Sequence, residues 1–162
     1  MSATPEPPVA QSTTTALGFD FGDKRIGVAV GQSMTGTASA LTTVAMQQQK
    51  PDWSRITQLI DEWQPDVLVV GIPLTMTGDT QPMTDRARAF ARKLEGRYHL
   101  PVHGVDERLS TRGARDQLQT TYNVDSQAAR IILETWLSEH ARNNTDDSNL
   151  SHQRNQRSQR SE

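Results

Sequence analysis

The chain alternates apolar and polar positions from the first foldable residues. In "LGFDFG", Leu17–Gly22, the residues Leu17, Phe19 and Phe21 fall on one side and Gly18 and Asp20 on the other. That two-residue period belongs to a strand with two different faces. Gly22–Lys24 reads as a tight turn, after which Ile26, Val28 and Val30 resume the alternation, so the segment predicts a hairpin. Ser39–Val44 predicts a third strand. Beyond Pro51 the period changes: Trp53, Ile56, Leu59, Ile60 and Trp63 share one helical face, with Asp52 placed to cap it. "DVLVVGIP", Asp66–Pro73, is continuously apolar and β-branched, as in a strand buried on both faces. "LTMTGDTQP" is a loop. From Pro82, the residues Met83, Ala87, Phe90, Ala91, Leu94 and Tyr98 mark a second amphipathic helix. "PVHGVDER" predicts a short strand ending at Asp106 and Glu107. Ser110 or Thr111 is placed to cap a helix through about Leu118, and a last helix beginning near Asp125 is expected to bury Ala128, Ile131, Ile132, Thr135 and Trp136.

Three strands, then strands alternating with helices, predict a single α/β domain whose sheet is part antiparallel and part parallel. No internal repeat is present. The polar ends, residues 1–15 and 141–162, hold almost no large apolar residue and are expected to be disordered tails around a folded domain of residues 16–140. Nothing at the start resembles a signal peptide, and no apolar run approaches the ~18 residues that cross a bilayer. The expectation is a cytoplasmic protein with no membrane partner.

Asp20 is the residue that this pattern leaves unexplained. A carboxylate inside an apolar strand loses water, and such a group is usually paired, protonated or bound to a metal. Gly18 beside it, and Gly27 and Ala29 across the hairpin, suggest open space above that face. Asp106 and Glu107 lie at the C-terminal end of a predicted parallel strand, the edge at which open α/β sheets bind ligands. A solvated strand end with Arg108 as ion-pair partner is the alternative. Asp125, preceding "SQAARIIL", reads on its own as a helix cap, and only in company with the other acids as a site residue.

Composition narrows the chemistry. There is no cysteine, which excludes disulfides, thiolate metal sites and cysteine nucleophiles, and the four histidines are scattered. No serine-nucleophile motif occurs. Acids from three separate elements are the remaining candidates, and hard oxygen ligands of this kind suit a divalent cation and phosphodiester chemistry. The net charge is −2, which argues against a uniformly basic nucleic-acid binder. Between Asp85 and Arg115, however, eight basic residues stand against four acids. Some of Arg86, Arg88, Arg92, Arg108, Arg112 and Arg115 are therefore expected to border the acidic site.

Three motifs in order, "GFDFGDKRIGVAVG", "VVGIPLTMTGDTQP" with "RARAFARKL", and "DERLST" with "VDSQAARIILE", resemble the YqgF/RuvX family, relatives of the RuvC resolvases in the ribonuclease H-like superfamily. The resemblance spans about Leu17 to Glu139. It implies a five-stranded mixed sheet flanked by helices and an acidic cluster binding Mg²⁺ or Mn²⁺. The implied activity is a nuclease that processes the 5′ end of pre-16S rRNA, with the pre-ribosomal small subunit as a partner, as a monomer or homodimer. Carried onto this chain, the catalytic and metal-binding residues are Asp20, Glu107 and Asp125, and the phosphate-binding residues are Lys24, Arg25, Arg108 and Arg112. The chain departs from the family pattern in "LQTTYNVD", which lacks the basic, glycine-rich segment expected before the last aspartate. Three other functions compete: a Holliday junction resolvase acting on branched DNA, a non-catalytic nucleic-acid-binding factor in transcription, and an ATPase of the actin and sugar-kinase type. The last fold closes two domains over its nucleotide, and one domain is expected here.

Overall fold

The computed structural model describes residues 13–108 and 125–141. The expected helix through Leu118, Arg112, Arg115 and most of the two tails lie outside the described residues. Eight elements and one further helix follow in chain order: β1 (Thr15–Phe21), β2 (Arg25–Gln32), β3 (Thr37–Gln47), β4 (Lys50–Pro51), α1 (Trp53–Trp63), β5 (Val67–Ile72), α2 (Pro82–Tyr98), β6 (Val102–Asp106) and α3 (125–141). The strands form one mixed sheet in the order β4-β3-β2-β1-β5-β6. β1, β2, β3 and β4 pair antiparallel, whereas β5 runs parallel to β1 and β6 parallel to β5. Six strands replace the expected five because the two-residue β4 folds back on the end of β3. Its turn places Gln48 and Gln49 at φ 51° and 64°. These are left-handed conformations that glycine or asparagine usually supplies, so no turn signal marks the spot in the sequence.

The two faces of β1 belong to two cores. Leu17, Phe19 and Phe21 pack with Ile26, Val28, Val44, Leu68 and Val70 against Ile56 and Leu59 of α1 and Ala87, Phe90 and Leu94 of α2. Ala16 and Ala29, with Val67, Val69 and Val105, face Ala129, Ile132, Leu133, Trp136 and Leu137 of α3. Burying a leucine- or phenylalanine-sized side chain contributes roughly 1.5–3 kcal/mol, so the aromatic face carries most of the driving force.

Local chemistry bounds the helices. The Asp52 carboxylate accepts from the Arg55 amide at 3.4 Å at the start of α1. Pro82 opens α2, where the Gln81 amide donates to Thr84 Oγ1 at 3.0 Å in a reciprocal cap. Thr84 is buried, and its hydroxyl donates onward to the Pro73 carbonyl, tying the helix start to the end of β5.

The buried face of α3 lies about one position from the expected one. Ser126, Ala129, Ile132, Leu133, Trp136 and Leu137 are buried, while Ala128, Ile131 and Thr135 are only half-buried. The helix is apolar on more than one side, and the sheet selects the face that fits its small residues. No described helix is long and apolar enough to cross a membrane.

Candidate active site

Asp20 leaves β1 on the α3 face, between two strands that present glycine. Its partner across the hairpin is Gly27 of β2. On the other side Phe19 pairs with Val70, so the next step along both strands sets Asp20 beside Gly71 of β5. Gly27 does not face open space, contrary to the expectation from sequence, and Gly71 does not either. A methyl group on Gly27 would overlap the main-chain carbonyl of Asp125, and one on Gly71 would overlap Ile132 and meet Glu107 Oε1 at 3.0 Å. Gly18 is covered as well, by Leu133 Cβ at 2.9 Å from such a methyl. The glycines admit the backbone of α3 and the side chain of Glu107, and so bring both toward Asp20.

Glu107 arrives from the end of β6, whose register sets Gly71 opposite Val105 and Ile72 opposite Asp106. Its carboxyl is hydrogen-bonded to that of Asp20. Burial pushes the Glu107 carboxyl up to about 8, with the nearby charge of Asp20 acting in the same direction. Burial also raises Asp20, and the Asp125 charge adds to the effect. Two carboxyls so placed share a proton. Asp125 stands on the same face of the sheet, near enough for its charge to bear on Asp20. Its Oδ2 is 3.7 Å from Arg25 Nε, a loose pair between side chains that are 38% and 67% exposed and worth little in stability. Among the described residues, no three of these acids or histidines form a ready-made metal-holding group.

Asp106 takes a different part. Arg108 Nη2 donates to its Oδ2 at 2.6 Å, Nε donates to both oxygens at 3.1 and 3.0 Å, and the Arg108 amide donates at 2.9 Å. These bonds hold the Asp106 carboxyl below its usual range. Arg108 also reaches Met76 O at 3.5 Å and packs beside Gly78. It thereby ties the end of β6 to the β5–α2 loop, which is itself cross-linked by Thr75, Thr77 and Asp79. Lys24 and Arg25 are exposed on the turn and the first residue of β2. Two arginines of α2 are engaged away from the acids: Arg86 Nη1 donates to Asp23 at 2.6 Å, and Arg97 lies over Trp53 at 4.1 Å. Gly71 is the contributor that the sequence reading passed over. A glycine inside the apolar run "VVGI" was its signal.

A mixed sheet with helices on both faces, and carboxyls gathered at the ends of β1 and β6, defines the ribonuclease H-like class. Thermus thermophilus RuvC in complex with a Holliday junction substrate has this fold, with a TM-score of 0.54 at 13% identity over 79% of this chain and 96% of that one. Residues 14–139 match the family model RuvX, described as Holliday junction resolvase. The chain belongs to the RuvX family. A Nitrosococcus oceani protein named "Putative pre-16S rRNA nuclease" is 48% identical over 146 residues, covering 86% of this chain and 96% of the relative. A Pectobacterium atrosepticum protein of the same name is 50% identical over 133 residues, covering 77% of this chain and 96% of the relative.

Proposed function

We propose that this chain is a divalent-metal-dependent nuclease that cleaves phosphodiester bonds in pre-16S rRNA, with Asp20, Glu107 and Asp125 as its metal-binding and catalytic residues. The observation that carries the reading is the hydrogen-bonded Asp20–Glu107 pair, cradled by two glycines, with Asp125 on the same face. Burial and repulsion among acids are costs that a structural cluster would shed and a cation would offset.

The donor set fits Mg²⁺ or Mn²⁺: every group is a hard carboxylate oxygen, and the proton shared by Asp20 and Glu107 marks negative charge that lacks a countercharge. Asp20 and Glu107 would hold the cation, and Asp125 would join them on giving up its loose pair with Arg25. When bound, the cation supplies Lewis acidity and a water activated for attack on phosphorus. The protein's own residues do the rest. Asp20 is fixed by its strand, Glu107 by the β6 end that Arg108 braces through Asp106, and Asp125 by the close seat of α3 on Gly27. Once freed from Asp125, Arg25 can meet a substrate phosphate beside Lys24, which orients the chain without reading its sequence. Arg108 is better suited to positioning than to binding phosphate, because Asp106 already engages its Nε and Nη2. A purely non-catalytic binding role fits poorly, since carboxylates on a contact surface weaken the grip on a polyanion.

Junction resolution is the second reading, favoured by the family description and by the RuvC fold. The two separate in one assay. Purified protein is incubated with pre-16S RNA and with a DNA four-way junction, in Mg²⁺, Mn²⁺ or chelator. Metal-dependent cleavage of the RNA alone is expected. Cleavage of the junction alone transfers the activity to DNA, and cleavage of neither, with either metal, overturns the nuclease assignment.

A further inference from the structure

On the aromatic face of the sheet, at the same edge as Asp20, a cavity of about 170 Å³ is lined by Phe21, Gln49, Pro51, Arg86, Phe90 and Lys93. Its composition differs from that of a core void. Two cations and a primary amide surround the rings of Phe21 and Phe90, whose centroids are 5.1 Å apart. Arg86 is the most informative member. Its Nη1 is spent on Asp23 and its guanidinium lies 5.6 Å from the Phe21 ring centroid, but its Nη2 is buried and has no hydrogen-bond partner among the described residues. A buried guanidinium donor is costly to leave unmade. Lys93 forms no ion pair among the described residues, so its charge is not neutralised at this site. Gln49 is held on the rim by a left-handed backbone, a conformation that costs on the order of 1 kcal/mol and persists where the surroundings impose it.

We infer that this cavity is an anion subsite for a backbone phosphate of single-stranded nucleic acid, flanking the bond that is cut. The Lys93 ammonium and the Gln49 amide are donors suited to phosphate oxygens, a small turn of the Arg86 side chain would bring its unpartnered Nη2 to join them, and the aromatic walls suit a sugar or base beside them. The acids and the cavity lie on opposite faces of one sheet edge. Between them runs the Gly22–Arg25 turn, with Lys24 exposed at its crest. A strand leaving the acids would cross that turn and seat its phosphate against Arg86 and Lys93. The inference rests on the nuclease reading for its substrate class.

Binding measured in chelator tests the subsite apart from catalysis. The probe is a fluorescein-labelled single-stranded RNA of pre-16S sequence, titrated by anisotropy at several salt concentrations. Lys93→Gln, at an exposed position of α2, should weaken binding about tenfold and reduce the salt slope by about one. Arg86→Lys retains a charge for Asp23 but loses the forked donor. It should weaken binding several-fold with the salt slope unchanged. Wild-type affinity and salt slope in both variants, with unfolding temperatures equal to wild type, would overturn the subsite. Asp20→Asn keeps the two proposals apart: normal cleavage by that variant sinks the nuclease site and leaves the subsite standing, whereas normal binding by Lys93→Gln and Arg86→Lys sinks the subsite alone.

Discussion

Asp20 and Glu107 carry the tension of the site. In hydrogen-bond contact and half-buried, they hold a proton that two separate carboxylates would release. Folding lifts Glu107 from its ordinary value of 4.5 to about 8, chiefly through burial, and lifts Asp20 in the same direction. The folded protein therefore binds protons that the unfolded chain loses between those two values. The stability from this source is complete on the acid side and disappears as pH rises through about 8. In chelator, the unfolding temperature should fall by several degrees between about pH 6 and pH 9, an effect on the order of 2 kcal/mol. Mg²⁺ should flatten the decline. A metal-free unfolding temperature that is level or rising over that range would show that the acids are not crowded as described. Asp20→Asn removes one charge and leaves an amide able to donate to Glu107. Its unfolding temperature in chelator should equal or exceed that of wild type at pH 8, and a marked loss would reveal a structural role. Asp20 was legible in the sequence because its burial is local, a polar residue on one face of a strand. The resemblance, not the residue pattern, pointed to Glu107 rather than its neighbour Asp106, and the arrangement that distinguishes the two is tertiary: Arg108 engages Asp106, while Glu107 meets Asp20.

The seat of α3 on the sheet depends on two absent side chains. Gly27→Ala would place a methyl inside the Asp125 carbonyl, and backbone cannot step aside as a flexible side chain does. The substitution should cost about 3 kcal/mol or more in urea unfolding, because the helix must lift from the sheet. Gly71→Ala meets the movable ends of Ile132 and Glu107 and should cost about 1–3 kcal/mol, while displacing Glu107 and slowing cleavage. A Gly27→Ala protein as stable as wild type would contradict the close packing. The strands and helices at the centre of the fold were readable, since Val67–Ile72 and the face of α2 carry unbroken apolar patterns. The orientation of α3 was not. Ala128, Ala129, Ile131, Ile132 and Leu133 are apolar in near succession, so helical period alone permits two faces, and the glycines and alanines of the sheet choose between them. β4 was hidden for another reason, its turn being built from glutamines.

At the scale of the molecule, the basic side chains among the described residues divide between internal partners and free surface. Arg86, Arg97 and Arg108 engage Asp23, Trp53 and Asp106, while Lys24 and Lys93 form no ion pair among the described residues. Local composition between Asp85 and Arg115 led to the expectation that some of these arginines border the acids; Arg108 lies beside them, bound to Asp106, and a count of charges contains no information about which are already spent. Binding of single-stranded RNA through roughly three or four phosphate contacts predicts a plot of log affinity against log salt with a slope of about −2 to −3. A slope near zero would mean that the basic surface does not touch the substrate.

Cleavage of pre-16S RNA by wild type, Asp20→Asn and Asp125→Asn, followed side by side in Mg²⁺ and Mn²⁺, reaches the central claim most directly. Each substitution preserves shape and removes one carboxylate charge, and asparagine retains the capacity to cap a helix. Both variants should remain folded and lose at least about a hundredfold in cleavage rate, a loss of roughly 2.7 kcal/mol in transition-state stabilisation. Wild-type rates from both, with either metal, would contradict the assignment of the acids as the catalytic site.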